Sequence, residues 1–171
     1  GNTKFKLVVH HLFRIPDGRD VTLGDPKEIY FQLAPVLESV EIKEGAYGEG
    51  DEMIIDLNFT QEVRINGTDP KLNLSSGGTA TLSEKPPSGG AKKLTFKYEI
   101  KKGENSKWSV DGSTIKTDLK INSISNQNSI QSALAPSGQV VHAVIELTGT
   151  NIKDKVIVDT TKPDVKSNTD A

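Results

Sequence analysis

The chain has no cysteine in its 171 residues. That excludes a disulfide framework and any zinc site built on thiolates, but it leaves the compartment open, since secreted bacterial proteins are often cysteine-free as well. Aromatic residues are scarce, 5% with a single tryptophan, and neither charge sign dominates: 21 basic and 23 acidic residues leave a net charge of −2. Charge so balanced gives no electrostatic footprint for a phosphate backbone, and nucleic acid is not expected as a partner. Long apolar runs are missing too. No window approaches the roughly 18 to 20 residues that cross a bilayer, and the N-terminus lacks a basic start followed by an apolar run. No membrane insertion is expected of this segment, and Gly1 reads as the start of a piece cut from a longer chain.

What the sequence has is alternation. In Met53, Ile55, Leu57 and Phe59 apolar side chains fall on every second position, with Glu52, Ile54, Asp56 and Asn58 between them. This predicts a strand with one face on a core and the other wet, broken only at Ile54. Lys93–Lys101 repeats the pattern with Leu94, Phe96, Tyr98 and Ile100. The two strands are expected to face each other across a shared interior. Turn chemistry brackets the first: Gly48 and Gly50 before it, and Asn66-Gly67 after the short run Glu62-Val63-Arg64-Ile65.

Further strands are predicted at Val36–Ile42 (an edge strand), Lys71–Leu74, Thr79–Leu82, Ile115–Ile121, Gln139–Thr148 and Lys155–Asp159. In the Gln139–Thr148 run the inward face holds Val141, Ala143, Ile145 and Leu147. Pro86–Gly90 is a loop, because two prolines remove donors and two glycines add entropy. Asn122–Gly138 lacks periodicity and reads as a long connection, with Ser129–Leu134 as one helical turn ended by Pro136. Trp108 is expected to cap one end of the sandwich, its indole donating to a backbone carbonyl. No stretch keeps a 3.6-residue apolar period over three turns. The sum is an all-β, Greek-key sandwich of about seven to nine strands after residue 36.

The first 35 residues stand apart. Lys4–Phe13, Val21–Leu23 and Ile29–Leu33 read as short strands between turns at Pro16-Asp17-Gly18 and Gly24-Asp25-Pro26, with the seam at Ala34-Pro35. So short a segment buries too little to fold alone, since staples become necessary below about 40 residues. It is expected to be a docked extension or the tail of a preceding module. The boundaries read from sequence are 1–35, a sandwich over 36–165, and a linker over 166–171.

From Val36 onward the order of signals resembles a bacterial immunoglobulin-like repeat of the kind strung in tandem in surface adhesins and cell-envelope proteins. The resemblance rests on Tyr47-Gly48-Glu49-Gly50-Asp51, Asn58–Val63, Asp69–Leu74, Gly77–Thr81, Leu94–Tyr98 and the closing Val156–Pro163, in that order. It implies an immunoglobulin-like fold, secretion or surface display, end-to-end stacking with neighbouring modules and a scaffold role, with no catalytic residues carried over. The alternatives are a module that binds a glycan or partner protein through Pro86–Gly90, Trp108 and residues 122–138, and a virion or appendage subunit whose N-terminal strands add to a neighbour.

Candidate chemistry is thin. His10 and His11 are adjacent and so point to opposite faces of a strand, and His142 is the only other histidine; a surface or structural role is expected rather than a metal site. There is no G-x-S-x-G elbow and no serine, histidine and aspartate arrangement that suggests a nucleophile, so an enzyme is not expected. Cofactors are expected to be absent, with calcium the one open case: Glu49, Asp51 and Glu52 in one loop and Asp159 and Asp164 at the exit offer oxygens at a module junction. Asn58, Asn66 and Asn73 each head an N-x-S/T triplet, read as strand and turn residues rather than glycan acceptors.

Overall fold

The computed structural model describes residues 5–8, 28–31, 33–135, 137–147 and 156–161, the first two ranges by backbone alone. The chain divides into two units, Gly1–Leu33 and Ala34–Ala171. In the first, β1 (Phe5–Val8) pairs antiparallel with β2 (Glu28–Phe31), Phe5 opposite Phe31 and Val8 opposite Glu28. The run Val21–Leu23, both N-terminal turns, His10 and His11 lie outside the described residues, as do Pro136, Asp164 and the linker 166–171.

The second unit is all-β. Its strands are β3 (Leu37–Ile42), β4 (Gly45–Tyr47), β5 (Glu52–Ile65), β6 (Lys71–Leu74), β7 (Thr79–Leu82), β8 (Ala91–Glu99), β9 (Trp108–Asp111), β10 (Thr114–Thr117), β11 (Ile121–Ser125), β12 (Ile130–Ser132) and β13 (Val156–Val158). Among the described residues these are eleven strands where seven to nine are predicted, and the helical content there is one 3-10 turn, Gln127–Ser129. No helix among them is long and apolar enough to cross a membrane.

Seven strands form one antiparallel sheet in the order β11-β6-β7-β8-β5-β12, with β3 also on β5. Taken against chain direction, β8, β7 and β6 follow one another and β5 closes beside β8, which is a Greek-key order. The sheet has to curl. Five strand spacings in a flat sheet would separate β11 from β12 by about 24 Å. Five backbone steps from Ser125 to Ile130 reach at most about 18 Å when fully extended, and these include a 3-10 turn. A second arch, residues 66–70, carries β5 to β6 at the same end. The arches are tied by Asn66 N–H to the Ser129 carbonyl, 2.9 Å, and Asn126 Nδ2 to the Asp69 carbonyl, 3.1 Å.

Curling turns one face of each strand onto a single core. Met53, Ile55, Leu57, Phe59 and Val63 of β5 and Leu94, Phe96 and Tyr98 of β8 are all buried, joined by Leu72, Leu74, Ala80, Leu119, Ile121, Ile130, Val156 and Val158. Ile54, the one break in the alternation, is 37% exposed. Tyr98 sends its hydroxyl to Glu104 Oε2 at 2.8 Å, with Ser76 Oγ 3.1 Å away. Burial, with Glu104 alongside, pushes its phenol up to about 12, so it stays protonated and donates.

The structure corrects several expectations. β5 and β8 do not face each other across the core; they are hydrogen-bonded neighbours, Ile55 opposite Phe96 and Leu57 opposite Leu94. The short run Glu62–Ile65 is the end of β5, reached through a bulge in which Asn58 to Val63 on β5 spans only Lys93 to Ala91 on β8. Ser129–Leu134 is no helical turn: Ile130–Ser132 is a buried strand on Val63–Ile65. Ile115–Ile121 is not one strand, because β10 ends at Thr117 and β11 begins at Ile121. The described residues of Gln139–Thr148 form no ladder, only bridges at His142 and Val144, although the alternation holds and Ala143 is buried with Ile145 and Leu147 packed on the core.

Candidate functional site

The most elaborated polar structure outside the core is the latch around the chain's exit. β13 lies parallel to β4, Val156 opposite Gly45 and Val158 opposite Tyr47, and all three of its residues are buried. A strand covered on both faces reads as a continuous apolar run, and Val156-Ile157-Val158 does. Its last residue, Val158, and Thr160 beyond it are held by the loop that follows β8.

That loop closes on itself first, Glu104 Oε2 accepting the Lys101 N–H at 2.8 Å as well as the Tyr98 hydroxyl. So anchored, it presents Ser106, whose N–H donates to the Val158 carbonyl at 2.8 Å and whose Oγ accepts the Val158 N–H at 3.0 Å. Asn105 Oδ1 accepts the Thr160 N–H at 2.7 Å, and the Gly103 N–H donates to Thr160 Oγ1 at 3.0 Å. On the opposite side the Asp159 N–H donates to the Tyr47 carbonyl at 3.0 Å. Asp159 Oδ1 accepts the Thr161 N–H at 2.8 Å and the Thr161 hydroxyl.

These donors, Thr161 foremost, hold the Asp159 carboxyl below the ordinary carboxylate range. A group whose folded pKa is depressed contributes stability above its unfolded pKa and loses it as pH falls through the folded value. Acidification below about pH 4, the unperturbed aspartate value, is therefore expected to release Thr161 from Asp159. The Thr161 amide resonance should move in that window in the wild type, because its N–H donates to Asp159 Oδ1, and stay put in Asp159→Asn; an Asp159→Asn titration identical to wild type would contradict the assignment.

Trp108 does not cap the sandwich. Its ring is 49% exposed on β9. The three elements proposed as one contact surface also separate. Gly90 lies so close to Ala133 that a Cβ there would sit 2.4 Å from the alanine methyl, which puts the Pro86–Gly90 loop and the 122–138 connection together. Trp108 belongs to the other end of β8, eight residues or about 26 Å away.

The calcium candidates meet only in part. A Cβ on Gly48 would come within 3.7 Å of the Asp159 carbonyl and 3.8 Å of Asp51 Oδ2, so loop and exit do adjoin. Three of the carboxylates serve other donors: Asp51 Oδ2 accepts the Gly48 N–H at 2.7 Å, Glu52 pairs with Lys97 at 3.5 Å, and Asp159 holds Thr161. Among the described residues no three His, Cys, Asp or Glu side chains gather as a metal site would require. His142 is exposed, with Nδ1 2.8 Å from the Asn128 carbonyl. Asn58 Nδ2 donates to Ser39 Oγ, Asn73 Nδ2 to Ser123 and Ser125, and Asn66 Nδ2 to Gln131, so all three triplet amides already have acceptors.

At the arch end the structure shows a wide, shallow concavity of about 610 Å³ lined by Asn66, Thr68 and residues 126–129. Sequence reasoning missed it, and missed Asn105 and Ser106 in the latch, because single polar residues in loops carry no periodic signal. No protein-family model, curated protein or solved structure matches the chain.

Proposed function

We propose that residues 36–165 are an immunoglobulin-like structural module of a secreted or surface-exposed bacterial multidomain protein, acting as a spacer or scaffold in adhesion. One observation carries the reading: the chain joins the sandwich far from where it leaves. Val36 arrives beside Thr60, whose N–H donates to the Val36 carbonyl at 2.9 Å, while Asp159 leaves beside Tyr47 and the Gly48–Asp51 turn that opens β5. Glu52 to Thr60 is eight residues of strand, about 26 Å. Direction agrees with position. β3 runs against β5 from Phe59 toward Ile55, and β13 runs parallel to β4, which leads into the turn before Glu52. The chain is therefore handed on in the sense in which it arrived, and the latch fixes it where a pull from the next module would act.

A spacer needs no reactive site, and the polar groups around the exit are consumed in holding backbone. The test is small-angle scattering from three copies of the chain joined end to end. A rod is expected, and a particle whose copies articulate freely would remove the reading.

A further inference from the structure

Asn66-Gly67 is the one Asn-Gly pair in the chain, and it lies in the arch between β5 and β6, where Asn66 lines the concavity. Both residues are exposed. Gly67 has φ +100°, and a Cβ placed on it would meet nothing within 4 Å, so no side chain stands over its backbone. Its N–H has no hydrogen-bond partner among the described residues. Asn105 and Asn128, also exposed and outside the strands, differ on this point. The N–H that follows Asn105 belongs to Ser106 and donates to the Val158 carbonyl at 2.8 Å; the one that follows Asn128 belongs to Ser129 and donates to the Asn126 carbonyl at 2.9 Å. Both serines are buried.

The Asn66 amide also begins a short relay. Its Nδ2 donates to Gln131 Oε1 at 3.3 Å, Gln131 Nε2 donates to the Asn128 carbonyl at 3.4 Å, and His142 Nδ1 lies 2.8 Å from that same carbonyl. Gln131 is only 6% exposed and stands opposite Arg64 in the β5–β12 register. Arg64 has an Nε buried with no acceptor, and it takes part in none of the ion pairs of the described residues.

We infer that Asn66 is a self-modification site, its side-chain amide displaced by the Gly67 nitrogen, and that the carboxylate left behind resets the Gln131 relay. Hydroxide takes the Gly67 N–H proton, and the nitrogen forms a bond to Asn66 Cγ. The tetrahedral carbon then expels Nδ2, which takes a proton from water and leaves as ammonia. The resulting five-membered imide adds water at one of its two carbonyls. Breaking the new Cγ–N bond gives aspartate; breaking the old backbone C–N bond gives isoaspartate, with the chain routed through Cγ. Water is the only co-reactant, and nothing is oxidised or reduced. A carboxylate accepts hydrogen bonds and donates none. In place of the amide it meets Gln131 Oε1 acceptor to acceptor, and Gln131, too buried to turn to water, satisfies it by swinging Nε2 round and giving up the Asn128 carbonyl. The arch thus gains a negative charge two residues from Arg64 and changes its grip on the His142 segment, as a slow step in the life of the folded chain. The inference does not depend on the spacer reading.

In the experiment the full chain is aged at neutral and at mildly alkaline pH, digested under acid, and its peptides followed by mass spectrometry with fragmentation that separates isoaspartate from aspartate. Expected is conversion of Asn66 several-fold faster than of Asn105 or Asn128, faster again at the higher pH, with isoaspartate among the products and a net charge one unit more negative than the starting −2. Asn66→Asp carries the product's charge on an unaltered backbone. Its amide spectrum should show the Gln131 side-chain resonances and those of Asn128 and His142 displaced, while Asn105 and Ser106 of the latch stay in place. Conversion of Asn66 no faster than of Asn105 or Asn128, or aspartate formed without isoaspartate, would overturn the site. A Gln131 side chain unmoved in Asn66→Asp would overturn the relay.

Discussion

Phe96→Ala is expected to lower the free energy of unfolding by about 3–5 kcal/mol, the range for a buried phenylalanine cut to alanine. Phe96 has no exposed surface, stands opposite Ile55 on β5 and next to Leu82 on β7, and so occupies the middle of the curl where both halves of the sheet converge. The loss combines the transfer energy of the ring with the cavity left behind, because paired strands on either side cannot collapse into it. Against a total of about 5–15 kcal/mol for a domain of this kind, the variant should lose a large fraction of its stability. Urea unfolding measures it, with an unchanged slope confirming that the same surface is exposed. An internal control is at hand in Ile55 and Ile54. They are neighbours in sequence, but the first is fully buried and the second 37% exposed. Ile55→Ala should cost about 2–5 kcal/mol and Ile54→Ala far less; equal losses would mean that the inner face of β5 is wrongly assigned.

The second large effect is expected at a position with no side chain. Gly78 ends the turn between β6 and β7, and a Cβ built there would lie 2.2 to 2.4 Å from three atoms of the Tyr98 phenol. Real atoms do not approach so closely, so the ring must move. It has little freedom to do so, being 1% exposed with its hydroxyl on Glu104 and Ser76. Overpacking costs about 1–3 kcal/mol, and displacing the phenol from a charged acceptor adds about 1.5–3 kcal/mol. Gly78→Ala is therefore expected to destabilise by about 3 kcal/mol or more. Because Glu104 also organises the latch, the exit strand should loosen in the same variant. Tyr98→Leu makes room for the methyl, so the double variant should be less damaged than the sum of the singles. Strict additivity, or a Gly78→Ala variant as stable as the wild type, would contradict the packing described.

How much of this was legible in the sequence follows from where the signal arises. β5 and β8 are half-buried strands of an antiparallel sheet, and such strands print a period of two whatever their partners are. The faces of Met53–Phe59, Leu94–Tyr98 and Val141–Leu147 were therefore readable. Which strand lies beside which was not, and the two clearest strands are adjacent rather than opposed because pairing depends on long-range register. β12 was invisible for a different reason. Ile130-Gln131-Ser132 is buried between the end of β5 and the His142 segment, with Gln131 Nε2 reaching the Asn128 carbonyl and Oε1 the Asn66 amide, so polar residues sit where an apolar pattern was sought. The β5 bulge hid in Asn58–Val63 because apolar parity survives it. For the candidate site, the order Asp159-Thr160-Thr161 marked the exit, but its partners Asn105 and Ser106 lie more than fifty residues away and gave no signal of their own.

The latch and the curled sheet make one mechanical object. Tyr98 ties the core to Glu104, Glu104 shapes the loop, and the loop holds Val158 and Thr160 through Ser106, Asn105 and Gly103. On the proposed spacer reading, a chain that comes in beside Thr60 and is gripped as it goes out beside Tyr47 would pass its direction to a following module. Scattering from one, two and three chains joined in series tests this most directly. The account predicts a maximum dimension that grows by an equal increment with each added copy while the cross-section stays constant. A dimension that grows far less than in proportion, with a thickening cross-section, would show copies folding back on one another and would contradict it.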